Sequence, residues 1–461
     1  MKTFWIQTLG CKVNQYESEQ IATLLRRRGL VPGDTPEAAD LHVINTCSVT
    51  IQAASKSRQL VRRTARLKVL NNPSSSQESV RFSGARTILT GCWATSNPIE
   101  AAKMCGVDAV ITHSDDVAVE LHRVLDGWDS PSEAPSGKAP GVGTQSLPLL
   151  GDRQTGHQRA FLKIQDGCDA HCTYCIIPSL RPHLWSKPID EAVEEARRLV
   201  DSGHVELVLT GIFLGAYDQP TALRHRQTGG SKPLGRLVEA LCSRVPGLRR
   251  LRFSSLEPGD LTGELLAVMK CHPQVVPHFH LPLQSGSDRL LHRMNRQYTR
   301  DDFLSMVEAV QRAFDRPAIT TDIIVGFPGE SDEQFDQTLD VVRRTKFIHI
   351  HAFSFSPRPG TAAARWTHDF VRGPIVNERI NRLNEMAADC SYEFRRQFLG
   401  EAVELLVERP RSFDSLRHGR CERYFDVHFE DPQAKAGDAV RVIVDRVTPA
   451  RTFARQCRSE R

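Results

Sequence analysis

Apolar and polar positions alternate with two different periods along the first part of the chain. Short runs rich in β-branched and apolar residues are typical of strands, whereas apolar positions every three or four residues are typical of amphipathic helices. The strand-like runs are Thr3–Thr8, Leu41–Asn45, Arg86–Thr90 and Ala109–Thr112, and the helical stretches include Glu17–Arg28 and Ala53–Lys68. Because strands and helices alternate, this part of the chain predicts an α/β domain with a parallel sheet.

Two segments interrupt this pattern. Asn71–Gly84 is rich in Ser, Asn, Pro and Gly, a composition typical of a surface insertion. Asp129–His157 has too little apolar content to pack, so we interpret it as a linker between domains. The amino-terminal domain is therefore expected to span residues 1–128, followed by a linker over residues 129–157.

From Arg159 onward, six apolar, β-rich runs are separated by helical stretches. The six runs are Phe161–Gln165, Val205–Thr210, Arg250–Ser254, Val275–Leu283, Ile319–Gly326 and Phe347–Phe355. Repeated strand and helix units of this kind predict a full or partial parallel barrel, in which chemistry takes place at the carboxyl ends of the strands. This central domain is expected to span residues 158–398.

The last sixty residues contain short strand-like runs after a helical connector, Ile375–Phe398. The runs are Ala402–Glu408, Tyr424–Phe429 and Ala439–Val447, separated by Gly and Asp turns. They predict a small β-barrel over residues 399–461, a type of module that often binds single-stranded nucleic acid.

Composition is close to the average of soluble globular proteins, and we expect a cytoplasmic protein. Hydrophobic residues make up 40% and charged residues 25% of the 461 positions. Neither a run of about 20 apolar residues nor the apolar stretch of a signal peptide is present, so we expect no membrane association.

Positive charge is concentrated in one segment, although the net charge is only +5. Lys56–Lys68 contains six basic residues and no acidic one. Arg58, Arg62 and Arg66 are spaced by four, which places them on one helical face that could contact RNA phosphates or could simply be solvated. A second basic group lies near the carboxyl terminus, at Arg446, Arg451, Arg455, Arg458 and Arg461.

Twelve cysteines in a cytoplasmic protein point to metal or redox chemistry rather than disulfides. Cys168, Cys172 and Cys175 lie within eight residues, just after a predicted strand. Three thiolates on one loop can hold three irons of a 4Fe-4S cluster and leave the fourth iron open. The alternative is a zinc loop with His171 as the fourth ligand.

The segment FLKIQDGCDAHCTYCIIP resembles the signature loop of radical S-adenosylmethionine (SAM) enzymes, specifically the methylthiotransferases. The resemblance implies that Cys168, Cys172 and Cys175 hold a 4Fe-4S cluster whose open iron binds SAM, with Tyr174 beside SAM. In this family, an electron from the cluster cleaves SAM to a 5′-deoxyadenosyl radical. The carboxyl-terminal barrel would correspond to the RNA-binding module called TRAM.

Three further motifs, TLGCKVNQYES, NTCSVT and GCWA, resemble the cysteine motifs of the amino-terminal domain of this family. They imply that Cys11, Cys47 and Cys92 hold a second 4Fe-4S cluster, which handles sulfur. Cys105 competes with Cys92 for the third position. Cys92 is preferred because it follows the strand-like run TILT, at the carboxyl end of a strand, whereas Cys105 lies in a helical pattern.

Motifs across the central domain extend the resemblance over nearly the whole chain. They include ELVLTGIFLGAY, RLRFSSLEP, HFHLPLQSGSDRLLHRMNRQYT, TTDIIVGFPGES and FSFSPRPGTAA. The residues expected to contact SAM at the strand ends are Thr210, Gly211, Ser254, Glu257 and Gly326. Two positions depart from the family pattern: Pro182 follows Arg181 where a glycine is usual, and Phe213 replaces an expected asparagine.

The residues of the motifs favour one branch of the family. TLGCKVNQYES, NTCSVT and SSLEP resemble the branch that acts on N6-threonylcarbamoyladenosine at position 37 of tRNA. Expected partners are the anticodon arms of ANN-decoding tRNAs and an electron donor such as flavodoxin or ferredoxin, and we expect a monomer. The alternatives are an enzyme acting on N6-isopentenyladenosine, an enzyme acting on a ribosomal protein aspartate, and an RNA-binding protein whose clusters do not turn over.

Overall fold

The computed structural model describes residues 1–70, 84–129, 143–151, 158–228, 230–410 and 416–457. All of the predicted insertion except Gly84 lies outside these residues, as do residues 130–142 and 152–157 of the predicted linker and the basic residues Arg458 and Arg461. The chain divides into two compact units. The first comprises Met1–Leu150 and Cys175–Pro182, and the second comprises Gly151–Tyr174 and His183–Arg461.

The first unit contains the predicted parallel sheet. Its strands are β1 (Thr3–Thr8), β2 (Val31–Pro32), β3 (Leu41–Thr46), β4 (Arg86–Gly91) and β5 (Ala109–Val110). They pair in parallel in the order β2-β1-β3-β4-β5. The helices are α1 (Lys12–Arg27), α2 (Ile51–Leu70), α3 (Cys92–Ser96), α4 (Pro98–Ala102), α5 (Val117–Asp129) and α6 (Ile177–Leu180).

Both faces of this sheet are buried, as is usual for parallel sheets. Alternate side chains of β3 point to opposite faces: Val43 belongs to a core cluster that includes Leu25 and Leu121, whereas Ile44 belongs to a different cluster that includes Val61 and Trp93. The apolar runs of the sequence therefore became strands because both of their faces could be covered by helices.

The second unit contains the six predicted parallel strands. They are β6 (Ala160–Lys163), β9 (Glu206–Thr210), β10 (Arg250–Phe253), β11 (His278–His280), β12 (Ala318–Val325) and β13 (His349–Ser354), with a short antiparallel pair, β7 (Gln165–Asp166) and β8 (Trp185–Ser186). The sheets β10-β9-β6 and β11-β12-β13 are joined by the parallel bridge Leu251–Val275, which makes a partial barrel.

Helices cover the outside of this partial barrel. They are α7 (Ile189–Asp201), α8 (Lys232–Arg244), α9 (Gly263–Cys271), α10 (Asp288–Arg293), α11 (Arg300–Ala313), α12 (Asp332–Thr345) and α13 (Gly373–Arg396). Helices α11 and α12 begin at capping boxes, in which Thr299 and Ser331 accept hydrogen bonds from the backbone of Asp302 and Gln334.

The carboxyl-terminal module is a closed five-stranded barrel. Its strands are β14 (Ala402–Val407), β15 (Arg417–Cys421), β16 (Asp426–Phe429), β17 (Ala439–Val447) and β18 (Thr452–Gln456), in the order β14-β15-β16-β18-β17. The small barrel was predicted correctly, but β15 and β18 were missed. The predicted strand Tyr424–Phe429 begins at Asp426 because Tyr424 adopts a positive φ of 71°, which belongs to a turn.

A buried charge network connects this barrel to the partial barrel. Glu206 lies 2.7 Å from Nε of Arg252 and 3.4 Å from the guanidinium of Arg250. Burial opposes the charge of Glu206, yet the neighbouring guanidiniums lower its pKa to about 2. The same two arginines donate to backbone carbonyls of the barrel, at Glu404 and Glu422. The two modules of the second unit therefore share one interior.

Candidate active site

The cysteines of the first unit lie at the carboxyl ends of three neighbouring strands. Cys11 precedes α1 shortly after β1, Cys47 directly follows β3, and Cys92 directly follows β4. Since β1, β3 and β4 are adjacent and parallel, their carboxyl ends share one edge of the sheet. Cys47 and Cys92 are buried, whereas Cys11 is exposed.

Asn14 lies between these cysteines, and the sequence interpretation had assigned it no role. Its Oδ1 is 4.0 Å from Sγ of Cys11 and 3.8 Å from Sγ of Cys92. Its Nδ2 donates to the carbonyls of Leu9 and Thr46, at 2.9 and 3.0 Å. Asn14 therefore ties the loops after β1 and β3 together while its other amide atom faces two thiols.

Two glycines allow the loops to approach each other closely. Gly10 has a φ of +103°, and a Cβ at this position would lie 2.7 Å from Sγ of Cys47. Gly91 has a φ of +90°, and a Cβ there would lie 2.2 Å from Oδ1 of Asn45. Any other residue would be strained at these positions and would push the cysteine loops apart.

Cys105 occupies a different part of the first unit. It is exposed and lies in the turn that follows α4, before the amino end of β5, not in a helix as the sequence pattern indicated. In a parallel sheet, the amino end of β5 is at the edge opposite to the carboxyl ends of β1, β3 and β4. The geometry therefore supports Cys92 over Cys105.

A buried ion pair lies near the thiols of the first unit. Two nitrogens of Arg181 donate to the two carboxylate oxygens of Glu17, at 2.7 and 2.8 Å, and Thr144 also donates to Glu17. Burial raises the pKa of Cys92 to about 12, an effect that the charge of Arg181 partly opposes. Arg181 thus has a defined structural partner even though Pro182, not glycine, follows it.

The signature loop follows β7, with Cys168 and Cys172 in the second unit and Cys175 in the first. A segment after α10 holds its second-unit part in place. Asn295 donates to the carbonyls of Ala170 and His171, at 3.2 and 3.1 Å. The backbone N–H of Thr173 donates to the carbonyl of Met294. These three hydrogen bonds hold the loop without involving the thiols.

Arg296 connects the loop to Glu257. Its guanidinium donates to Sγ of Cys172 at 3.2 Å and to the hydroxyl of Tyr174 at 3.4 Å, and it forms an ion pair with Glu257. Glu257 also pairs with Arg224 at 3.3 Å. Burial raises the pKa of Cys172, an effect that Arg296 opposes, and burial raises the pKa of Cys168 to about 12. Binding of a metal at these thiols would therefore have to displace protons.

The residues expected to contact SAM lie at strand ends, as predicted. Thr210 ends β9, and Ser254 directly follows β10. The Oγ of Ser254 is buried and has no hydrogen-bond partner among the described residues, which is a feature of a ligand site. Local packing accounts for the two glycines: a Cβ at Gly211 would press on Gln165, and one at Gly326 on Val376. Contact of all five residues with SAM remains a prediction.

The basic face of α2 has the predicted arrangement. Arg62 and Arg66 are exposed, and the guanidinium of Arg58 is half-buried, 6.0 Å from the centroid of the Trp93 ring. Near the carboxyl terminus, Arg446, Arg451 and Arg455 are exposed. In the parts of the chain that the structure describes, no helix combines the length and apolar character needed to cross a bilayer.

Comparison with known proteins identifies related domains and whole chains. Residues 162–342 match the model of the Radical SAM superfamily, and residues 3–112 match that of the Uncharacterized protein family UPF0004. The chain is 34% identical, over 96% of its length and 93% of the relative, to the threonylcarbamoyladenosine tRNA methylthiotransferase MtaB of Bacillus subtilis. It is 36% identical to the MtaB of Thermotoga maritima, over 88% of this chain and 87% of that one.

Two further proteins are similar to this chain. A tRNA-2-methylthio-N(6)-dimethylallyladenosine synthase of Maricaulis maris is 32% identical, over 96% of this chain and 95% of that protein. The radical SAM methyltransferase TsrM from Kitasatospora setae has the same fold, with a TM-score of 0.55 at 14% identity over 79% of this chain and 77% of that one. With the cysteine loops at the strand ends and relatives matched over almost their full lengths, the chain belongs to the radical SAM methylthiotransferase family.

Proposed function

We propose that this protein converts N6-threonylcarbamoyladenosine at position 37 of tRNA to its 2-methylthio derivative. The observation that carries this proposal is the similarity, over most of both chains, to two proteins named as threonylcarbamoyladenosine tRNA methylthiotransferases. The amino-acid motifs of the cysteine loops support the same branch, which acts on threonylcarbamoyladenosine. The 32% identical dimethylallyladenosine synthase makes isopentenyladenosine the second candidate substrate.

In this proposal, Cys168, Cys172 and Cys175 hold the 4Fe-4S cluster that binds SAM. A cluster held by these thiols would supply one-electron chemistry for the cleavage of SAM, which an ordinary acid or base cannot replace. The cation of Arg296 favours thiolate at Cys172 and keeps Tyr174 and Glu257 in fixed positions. Ser254 offers a hydroxyl without a protein partner among the described residues to a polar group of SAM.

Cys11, Cys47 and Cys92 would hold the second cluster and its sulfur. Asn14 would orient an amide oxygen toward this site, since it already lies near Cys11 and Cys92. We further propose that ANN-decoding tRNAs are the substrates and that flavodoxin or ferredoxin is the reductant. We also propose that the protein is monomeric and cytoplasmic. The proposed domain organisation is an amino-terminal domain (residues 1–128), a linker (129–157), a central domain (158–398) and a carboxyl-terminal barrel (399–461).

Substrate choice can be tested with defined RNAs. The reconstituted enzyme is incubated with SAM, a reductant and anticodon stem-loops that carry threonylcarbamoyladenosine, isopentenyladenosine or plain adenosine at position 37. We expect a methylthio product only on the first RNA, measured by mass spectrometry of the nucleosides. Product formed only on the isopentenyl RNA, or only on a ribosomal protein added in parallel, would contradict the proposal.

Contact with tRNA phosphates is expected at the exposed part of α2. Replacing Arg62 and Arg66 with alanine should weaken binding to all tRNAs alike, because phosphate contacts carry no sequence information. At 0.7–0.9 units per lost contact, the slope of log affinity against log salt should flatten by about 1.5 units. SAM cleavage without tRNA should be unchanged.

The matched control for this prediction is Arg312→Ala on α11, an exposed arginine that makes only a loose pair with Glu308, at 3.5 Å. Its salt dependence should equal that of the wild type. Equal slopes for the double variant and the wild type would rule out α2 as a phosphate contact.

Point substitutions test the RNA interface more sharply than deletion of residues 401–461. Phe394 and Phe398 share a core cluster with barrel residues such as Leu405 and Val427. Removing the barrel would expose this cluster and would take away the carbonyl partners of Arg250 and Arg252, so the truncated chain would be destabilised as well as deprived of an RNA-binding module.

A further inference from the structure

One face of the β11-β12-β13 sheet carries polar, metal-ligating side chains. The other face is apolar and buried: Phe279 and Ile323 belong to it, and the Phe279 ring packs 5.0 Å from that of Phe314, at the end of α11. Because side chains alternate along a strand, the polar face is the one turned away from these helices. It carries His280 from β11, Asp322 from β12 and His351 from β13, one side chain from each strand.

The pairing of the strands explains why these three side chains meet. His280 is opposite Thr320, and Asp322 is opposite His351. His280 is thus a diagonal neighbour of Asp322, with Nε2 3.3 Å from Oδ2. One potential ligand atom from each of the three residues lies within 4.8 Å of the other two, the only such group of His, Cys, Asp or Glu residues in the described ranges.

Neighbouring side chains orient both imidazoles. Nδ1 of His280 is 3.0 Å from Oγ1 of Thr320, so its Nε2 is the nitrogen that faces Asp322. Nδ1 of His351 is 3.2 Å from Nε2 of His349. In metal sites, a coordinating histidine nearly always uses its second ring nitrogen in a hydrogen bond of this kind, which fixes the ring.

We propose that His280, Asp322 and His351 bind a divalent transition-metal ion of the zinc type, separate from the iron–sulfur clusters. Two imidazoles and one carboxylate form a common ligand set for zinc and for non-haem iron. Bonds of about 2.0–2.1 Å place tetrahedral ligand atoms roughly 3.4 Å apart, so no pair of these atoms has to approach by more than about 1.4 Å. Three protein ligands leave at least one coordination position open, and His351 is exposed whereas His280 and Asp322 are half-buried.

The proposal depends only on these side chains and not on the substrate of the enzyme. The competing interpretation is a hydrogen-bonded ion pair between His280 and Asp322 that binds no metal. The two differ in what the intact protein does with zinc, so the test begins with the reconstituted holoenzyme, freed of loosely bound metal by a chelator and then given Zn²⁺ alone.

We expect one zinc ion per chain in addition to cluster iron, counted by mass spectrometry of the elements. X-ray absorption at the zinc edge should show only nitrogen and oxygen neighbours at about 2.0–2.1 Å, with imidazole scattering. A sulfur shell near 2.3 Å would place the zinc on cysteines and would overturn the proposal. Failure to retain zinc would overturn it too. These measurements on the wild type decide the matter even if a variant folds poorly.

Variants assign the ligands. His351→Ala and Asp322→Asn should each weaken zinc binding at least about 100-fold, and Thr320→Val, which removes only the hydroxyl beside His280, about 10- to 100-fold. The matched control is His272→Ala, since His272 also pairs with a carboxylate, that of Glu239 at 2.8 Å, but has no third ligand beside it in the described ranges. Zinc affinity unchanged in His351→Ala would contradict the assignment.

Discussion

Replacement of Cys168, Cys172 and Cys175 together with alanine will abolish the cleavage of SAM to 5′-deoxyadenosine. It will also reduce the iron content of the reconstituted protein from about eight to about four atoms per chain, because one of the two proposed 4Fe-4S clusters loses all of its protein ligands. The variant should still fold, since the side-chain amide of Asn295 and the backbone N–H of Thr173 hold the loop through hydrogen bonds that do not involve the thiols.

The control for this experiment is the double variant Cys271→Ala, Cys390→Ala, which removes two accessible or half-buried thiols outside the two trios. It should retain about eight irons and full cleavage of SAM. Cleavage that persists in the triple variant, or zinc in place of iron in the wild type, would refute the assignment of the radical cluster.

The main strands of the fold could be predicted because they are long apolar runs, and both faces of these strands are buried in the structure. β3, β4 and β12 begin or end within a residue or so of the predicted runs. β2 and β5 are both two residues long, but β2 was missed because, unlike β5, it is not part of a longer apolar, β-branched run. β15 was missed because its sequence, RHGRC, has no apolar alternation: His418 and Gly419 are buried there through pairing with neighbouring strands.

The cysteine loops of the site were predictable, but the residues around them were not. Cysteine spacing is a local signal, and the signature loop and the strand-end motifs can be read from a few neighbouring residues. The contact of Arg296 with Cys172 spans 124 positions, and that of Arg181 with Glu17 spans 164. Such contacts depend on which strands become neighbours, which is a property of the whole topology.

Asn14 is the exception, because a local signal existed. It stands three residues after Cys11 in the motif KVNQYES and on the first turn of α1. An asparagine near a helix start is usually interpreted as a cap or turn residue. For this reason the sequence analysis assigned Asn14 no role beside the two thiols. The need for glycine at positions 10 and 91 likewise depends on the neighbouring strands, because a Cβ at these positions would collide with Cys47 and Asn45.

Replacement of Cys11, Cys47 and Cys92 with alanine will separate the roles of the two proposed clusters. SAM cleavage should continue, because Arg296, Glu257 and the thiol of Cys172 that Arg296 contacts lie in the other compact unit and are untouched. No methylthio product should form on tRNA, because no thiolate is left to hold the second cluster and its sulfur. Production of 5′-deoxyadenosine and of methylthio nucleosides is measured in the same reaction.

Cys105→Ala is the decisive companion to this variant, since Cys105 is a cysteine of the same unit at the opposite edge of the sheet. It should form product like the wild type, whereas Cys92→Ala alone should form none. The reverse pattern would show that Cys105, not Cys92, is the third ligand, and that the sheet edge shared by β1, β3 and β4 does not define the second cluster. Loss of SAM cleavage in the triple variant would show instead that the two clusters do not act independently.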